Sequence, residues 1–590
     1  MLLFYDFEVF KEDWLVVIYD MTAKQKHVIV NDADKLRSFY EAHVNDIWVG
    51  FNSRHYDQYI LKAIILGMNP KEINDKIILK DMKGWQISNA FLKVPLYNYD
   101  CMPNPPKGLK SLECFAGASI IESDVDFNLD RKLTDAEIEE TIKYCTHDVE
   151  QTIEVFMRTI DVFNAKMHLV KEFNLGLERI GDTEAKLVSL VLGCEKQDRT
   201  DEFDWKFLPC LDLGKYSFVK DWFEHEVPRD ERCYDMSLKV DVAGVPHTFG
   251  FGGLHGASEK PIYEEGAIYH VDVNNYYPSL LIAWDLVTKS ATNDNYAKVY
   301  QTRKALKMKQ LEAKTKDEAK FYKKQQVPYK LALNALSGAM KDRFNKAYSP
   351  AENNSMCING QLMLLSLIFK LESGIEGFKL IQSNTDGLIV KIPDTDEAFE
   401  QLDDICYEWE QRCSTDKCSI TLSLDSIKSI YQKDVNNYLW INPDGSCGER
   451  VGAYVKELSP LDYDLPIVNK AMVNYLVNRT PIEKTIGDCD DLIEFQKLVK
   501  LSSKYGWVEH NNKKYTYKCY RVFASKDQND GIIYKCGGAR GKPEKFANTP
   551  EKCFILNDSV VGVKVPEKLD KSYYIEVAKK RLQQFGVEVR

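Results

Sequence analysis

Residues 267–279 read Ala267-Ile-Tyr-His-Val-Asp272-Val-Asn-Asn-Tyr-Tyr277-Pro-Ser279. Ala267 to Val273 has the apolar make-up of a strand. The apolar helix that follows accepts Pro278 in its first turn, where an amide N–H would be unpaired anyway. A carboxylate, Asp272, therefore stands where a strand gives way to a helix. Downstream, Phe378 to Ile392 alternates about Asn384-Thr385-Asp386-Gly387, and an Asp-Gly pair between two apolar runs predicts a hairpin carrying a second carboxylate. Between these two segments, from Arg303 to Arg343, lie twelve Lys or Arg against four acids. Such a run is ordinarily a solvated helical face. Within it Arg303 and Lys307, and Lys330 and Asn334, are each spaced by four and share a face.

The amino terminus carries a second group of acids. Leu2 to Val9 is a short apolar strand with Asp6 and Glu8 two positions apart, hence on one face. Paired carboxylates on a buried strand repel each other and are costly to desolvate unless a cation lies between them, a need that a divalent metal ion meets. A strand over Ile47 to Phe51 runs into Asn52-Ser53-Arg-His-Tyr-Asp57; Asn52 or Ser53 is expected to cap the next helix, with Asp57 at the junction. Thr134-Asp-Ala-Glu137 has the form of a capping box, and the helix it opens places Tyr144 and Asp148 on one face.

In order and spacing these amino-terminal segments resemble the three motifs of DnaQ-like proofreading nucleases, D-x-E, N-x-x-x-(F/Y)-D and Y-x-x-x-D. The resemblance implies that Asp6, Glu8, Asp57 and Asp148 bind two metal ions and that Tyr144 orients the attacking water. His147 is read as a helix residue satisfied locally. The later segments resemble family B DNA polymerases: Asp272 to Ser279 matches motif A, D-x-x-S-L-Y-P-S; Lys330 to Gly338 matches motif B, K-x-x-x-N-S-x-Y-G; and Asn384 to Gly387 matches motif C, D-T-D-S. This implies that Asp272, with Val273 beside it, and Asp386 hold metal ions. Tyr277 would lie under the sugar and exclude a 2′-hydroxyl. Arg303, Lys307 and Lys330 would clamp a triphosphate, with Asn334 and Thr385 also binding the nucleotide. Five departures from the family stand out: Asn275-Tyr276 replaces Ser-Leu, Ser337 the motif B tyrosine, Asn384 the first acid of motif C, and Gly387 its serine. Gly250-Phe-Gly252-Gly253 resembles the Y-x-G-G element, which implies a close approach of the template strand at Gly252 and Gly253. Lys433 and Tyr438 stand where the K-x-Y element meets a primer terminus.

The implied architecture is multidomain, α/β and α+β: an RNase H-like exonuclease domain over 1–165, a linker and start of the palm over 166–264, palm segments over 265–299 and 346–450, fingers over 300–345 and a thumb with the carboxy-terminal region over 451–590. Lys513 to Arg521, basic and aromatic, is a candidate contact with the DNA backbone, against the plainer reading of an exposed hairpin. The function implied is template-directed addition of deoxynucleotides with 3′-to-5′ proofreading. It would use Mg²⁺ or Mn²⁺, two ions at each site, with primer-template DNA, single-stranded DNA and dNTPs as partners. The alternatives are an exonuclease whose polymerase half has decayed, which Asn384 and Ser337 motivate, and a noncatalytic single-strand binding protein.

Bulk properties agree. At 590 residues the chain is long enough for several lobes, and 44% hydrophobic with 28% charged residues is ordinary globular composition. No apolar run spans a bilayer and Met1 to Glu8 is unlike a signal peptide, so a cytoplasmic monomer is expected, in a bacterial host if phage- or plasmid-encoded, with replisome partners left open. Fifteen cysteines without a C-x-x-C pair read as reduced thiols. The net charge of −11 argues against binding a polyanion over the whole surface but allows a local basic groove.

Overall fold

Strand β1 (Leu2–Val9) is the middle of a five-stranded sheet, ordered β3-β2-β1-β4-β5, in the computed structural model of the chain, which describes residues 1–588. Strands β2 (Trp14–Asp20) and β3 (Gln25–Val30) return antiparallel, whereas β4 (Ile47–Gly50) and β5 (Tyr97–Asp100) run parallel to β1. The period of two sorts the side chains of β1. Leu3, Tyr5 and Phe7 enter one core with Trp48, Ile60 and Leu61; Phe4 enters the other with Val49, Cys145, Val149 and Phe156. Asp6 and Glu8 share the face of Phe4.

The helix Asp135–Arg158 starts at the expected capping box: the Glu137 N–H donates to Thr134 Oγ1 (3.3 Å) and the Thr134 N–H to Glu137 Oε2 (2.8 Å). The cap expected at Asn52 or Ser53 is not formed. Ser53 Oγ donates to Asn98 Oδ1 (3.2 Å), the Asn52 N–H donates to Asp100 Oδ1 (2.9 Å), and the helix Asp57–Ile65 starts only after this turn.

Two compact units divide the chain. The first comprises Met1–Asp182, Leu458–Pro466 and Asp488–Tyr573; the second comprises Thr183–Glu457, Ile467–Gly487 and the chain from Tyr574. The boundary expected at 165 therefore lies inside the first unit, where Phe163 packs on the same core as Phe156. The stretch 451–590 is not one block either, because Leu461, Tyr463 and Leu498 pack on that same core. Lys513 to Arg521 divides likewise. Its first residues do form a hairpin, but Arg521 is fully buried.

The second unit is built on a nine-stranded sheet that runs from β14 (Cys447–Val451) through β13 (Asn437–Ile441), β12, β9, β11, β10 and β8 (His255–Ala257) to β7 (Val245–Phe249) and β6 (Leu238–Val242). Its axis is β9 (Ile262–Val273), flanked by β11 (Gly387–Lys391) and β12 (Leu422–Asp434), both antiparallel to it. Strands β10 (Lys379–Ser383) and β11 form the predicted hairpin, closed by the Asn384 N–H donating to the Gly387 carbonyl (2.8 Å). The basic run forms helices Asn295–Leu311 and Val327–Lys341 with a shorter helix, Lys316–Gln325, between them. The apolar helix Pro350–Gly374 is buried over most of its length. No helix among the described residues is long and apolar enough to cross a membrane.

Candidate active sites

In the first unit the sheet and two helices bring four carboxylates together. Asp6 and Glu8 come from β1, Asp57 from the first turn of its helix and Asp148 from the Asp135–Arg158 helix. The Phe7 N–H donates to Asp57 Oδ1 (3.1 Å), which ties Asp57 to the strand between the other two acids. Burial pushes Asp6 and Glu8 well above the usual carboxylate range, and the neighbouring acids push them further. Burial likewise brings Asp57 to about 7. Asp148 rises less, because the Lys110 ammonium lies against it. Glu8 is 9% exposed and its carboxylate accepts no hydrogen bond among the described residues. Carboxylates gathered in a mostly buried space are the donor set that a divalent cation satisfies, and ligand atoms of Asp6, Glu8 and Cys145 lie within 4.8 Å of one another.

Lys110 carries no motif, and sequence reasoning missed it. It sits in the helix Leu109–Ala116, donates to Asp148 and to Glu113 Oε1 (3.0 Å), and has its ammonium 4.8 Å from the centre of the Tyr144 ring. The only local signal is the spacing of three between Lys110 and Glu113. Tyr144 is raised by burial and by the charge of Asp148, so its phenol stays protonated and able to donate. His147 differs from expectation. Its Nε2 is buried 3.6 Å from Glu113 Oε2 and makes no hydrogen bond, while that oxygen accepts from the Ile121 N–H (3.4 Å).

In the second unit the antiparallel register sets Gly387 opposite Asp272, and the Val273 N–H donates to the Asp386 carbonyl (2.8 Å). The two carboxylates thus stand at adjacent strand ends. Gly387, which replaces a serine of the family motif, has a local reason: a Cβ there would come 2.9 Å from the Val271 carbonyl and 3.2 Å from Asp272 Oδ1. Burial raises Asp272 to about 7; the charge of Asp386 adds to this and Lys307 opposes it. Asp425 and Glu449, which the sequence did not single out, push in the same direction as Asp386.

A cleft of about 490 Å³ opens over this pair. Its lining includes Asp272, Val273, Tyr277, Arg303, Lys307, Lys330, Asn334, Ser337, Thr385 and Asp386. Lys307 Nζ donates to Asn274 Oδ1 (2.9 Å), which holds the ammonium near the acids. Arg303 Nε is buried without a hydrogen-bond partner, and burial depresses the guanidinium. Tyr277 stacks nearly parallel to Tyr276 (12°, 5.6 Å), whose hydroxyl donates to the Gly360 carbonyl (2.7 Å). Gly360 matters because a Cβ there would meet Tyr277 Cε1 at 2.9 Å.

The remaining candidates lie outside this cleft. A Cβ on Gly253 would overlap Thr385 Oγ1 (2.3 Å), so this glycine lets its loop pack on the β10–β11 turn. Gln361 Nε2 donates to the Gly250 and Gly252 carbonyls (2.6 and 2.9 Å) and fixes the same loop. Lys433 Nζ donates to Asp434 Oδ2 (2.6 Å), and Tyr438 is buried with its hydroxyl 3.4 Å from Glu449 Oε2. Asn384 Oδ1 accepts the Thr385 N–H (2.7 Å) and does not line the cleft.

No protein-family model and no curated protein matches the chain. Among solved structures, the family B DNA polymerase from the hyperthermophilic archaeon Pyrobaculum calidifontis matches over 100% of this chain and 78% of its own, at 14% sequence identity and a TM-score of 0.40. The chain is similar to that family B polymerase.

Proposed function

We propose that the chain is a template-directed DNA polymerase that extends a primer 3′-hydroxyl with deoxynucleotides and proofreads through a 3′-to-5′ exonuclease in its first unit. The observation that carries the reading is the cleft of the second unit, in which the carboxylates Asp272 and Asp386 share one space with Arg303, Lys307 and Lys330. Carboxylates alone suit a metal and cations alone suit an anion; the two together suit a metal-bound polyphosphate.

Asp272, Asp386 and the backbone at Val273 would hold divalent ions in the polymerase cleft, and Asp6, Glu8, Asp57 and Asp148 would hold them in the nuclease. When bound, Mg²⁺ or Mn²⁺ lowers the pKa of the attacking hydroxyl or water and neutralises charge on the departing oxygen. The rest of the work is positioning and charge. Arg303, with a buried nitrogen awaiting an acceptor, and Lys307 and Lys330 receive the triphosphate. Asn334 and Thr385 border the nucleotide. The Tyr277 ring, held flat against Tyr276 and Gly360, occupies the room a 2′-hydroxyl would need. In the nuclease the protonated Tyr144 hydroxyl orients the incoming water, and Lys110 offsets the charge gathered at Asp148. Gly252, Gly253 and Lys433 remain proposed contacts with the DNA, whereas Tyr438, expected at a primer terminus, is buried with its hydroxyl on Glu449 and does not present its ring at the surface.

A labelled primer on a defined template, with Mg²⁺, tests both activities in one tube. Extension with dNTPs and stepwise shortening without them is the expected result. Shortening without extension would instead favour an exonuclease with a decayed polymerase half.

A further inference from the structure

The helix Leu109–Ala116 ends at Gly117, which takes the left-handed conformation (φ 72°); the Gly117 and Ala118 N–H groups donate back to the Cys114 (2.9 Å) and Glu113 (3.0 Å) carbonyls, and these carbonyls accept a second time from the carboxy-terminal strands. Arg521, on β18 (Cys519–Ala524), is the centre of this contact and is fully buried. Its Nη2 donates to the carbonyls of Glu113 (3.4 Å), Cys114 (3.2 Å) and Ala118 (2.7 Å). Its Nη1 donates to the Asp558 carbonyl (2.7 Å) and its Nε to Gln496 Oε1 (3.0 Å). The Val560 N–H donates to the Gly117 carbonyl (2.8 Å) and the Ile120 N–H to the Asn557 carbonyl (2.8 Å). Among the described residues no carboxylate forms an ion pair with Arg521. Its charge is met by backbone dipoles at the negative end of a helix, a buried geometry that a planar fork fills and an ammonium does not.

That helix is the one that presents Lys110 to the nuclease acids. Glu113 is held at both ends: its carbonyl accepts from Arg521 and its side chain accepts from Lys110, which in turn reaches Asp148. An eight-residue helix is a rod roughly 12 Å long, so a tilt at one end displaces the other. We infer that the segment Asp488–Tyr573 is a working part of the nuclease, with Arg521 the positioning residue that sets Lys110 against Asp148. The inference rests on the nuclease reading of the first cluster. It assigns to the carboxy-terminal chain a role in degradation and none in the polymerase cleft, whose lining contains none of its residues.

A double-mutant cycle on the full-length protein tests it, with Arg521→Met, Lys110→Ala and the pair assayed for degradation of a labelled single strand and, in parallel, for primer extension. Arg521→Met is expected to lower nuclease kcat about 10- to 100-fold with KM unchanged, the scale set by supporting residues around a reacting centre. Extension should stay within about twofold. Lys110→Ala should add less than about threefold to the loss already caused by Arg521→Met, because both remove one interaction. Arg521→Lys, which keeps the charge without the fork, should not rescue degradation. Losses that multiply, or extension falling together with degradation, would overturn the inference. If Arg521→Met does not fold, Gln496→Met removes one acceptor, keeps the guanidinium, and should show the same non-additivity with Lys110→Ala at a smaller amplitude; additive losses there also overturn it. Absence of degradation by the unaltered protein would instead sink the nuclease reading itself.

Discussion

In the first unit the acids are sunk at a sheet face and their cation, Lys110, rides on a helix packed beside the same core. In the second they stand at strand ends below an open cleft, and the cations come from separate helices, Asn295–Leu311 and Val327–Lys341. Under the proposed function, the difference follows the charge of what each site would admit. A single strand brings one phosphodiester at a time, so a resident lysine can hold part of the acid charge in balance. A triphosphate brings several negative charges, and a cleft that receives it must keep cationic groups unsatisfied until it arrives; the partnerless Arg303 Nε is such a group.

The comparison breaks most sharply if the two clusters are not independent. Asp272→Asn or Asp386→Asn should lower extension by about 10³-fold or more while degradation continues, and Asp6→Asn or Asp148→Asn should do the reverse, since each removes charge aimed at a reacting centre. Rates of both reactions on one labelled primer-template check this. A single variant that silences both would mean the chemistry is shared. The next effect concerns the cations. Arg303→Ala should raise the KM for dNTPs by about 10- to 100-fold, the worth of a charge-assisted hydrogen bond, and leave degradation of a single strand unchanged.

These predictions separate what the sequence discloses from what it hides. The five-stranded sheet face with Asp6 and Glu8, the Thr134–Glu137 box and the β10–β11 hairpin are all legible, because each is set by period, capping or turn chemistry within a few residues. So is the gathering of Arg303, Lys307 and Lys330 with Asp272 and Asp386 in one cleft, through the order of the motifs. Lys110 and Arg521 are illegible for a common reason. Their partners lie 38 residues away for Lys110 (Asp148) and 403 to 408 for Arg521 (Ala118, Cys114, Glu113), and no local pattern encodes such pairings. The expectation of a single carboxy-terminal block failed likewise, since the return of Leu461 and Leu498 to the first core is a tertiary event.

The raised acids sharpen the comparison through pH. Asp57 and Asp272 titrate at about 7 in the folded protein without metal, against the usual carboxylate value near 4 when unfolded. Between those values the folded state binds more protons than the unfolded one, so stability from these groups is fully present below about pH 4 and is lost as pH rises through about 7. Chelator-treated protein should therefore melt several degrees lower at pH 8 than at pH 5.5, and Asp57→Asn should reduce that difference. Mg²⁺ should restore the melting temperature at pH 8, because a cation replaces the lost protons. A melting temperature that rises with pH and ignores both Mg²⁺ and Asp57→Asn would show that these carboxylates are not held above their usual range.

The smallest expected effect is at Asn384, and its smallness is informative. An acid missing from the first position of motif C would be damaging if that side chain reached the metal ions. Here Asn384 Oδ1 accepts the Thr385 N–H, its own N–H closes the hairpin on Gly387, and the side chain lies outside the cleft lining. An aspartate could accept the same bond with an oxygen in the same place. Asn384→Asp should thus change the extension rate by less than about threefold, within the range of an exposed charge change near but not in a site. A gain of tenfold or more would show that the position does address the reacting phosphate. The unaltered chain would then be working with an incomplete set of acids, and the balance would move toward the nuclease as its principal activity.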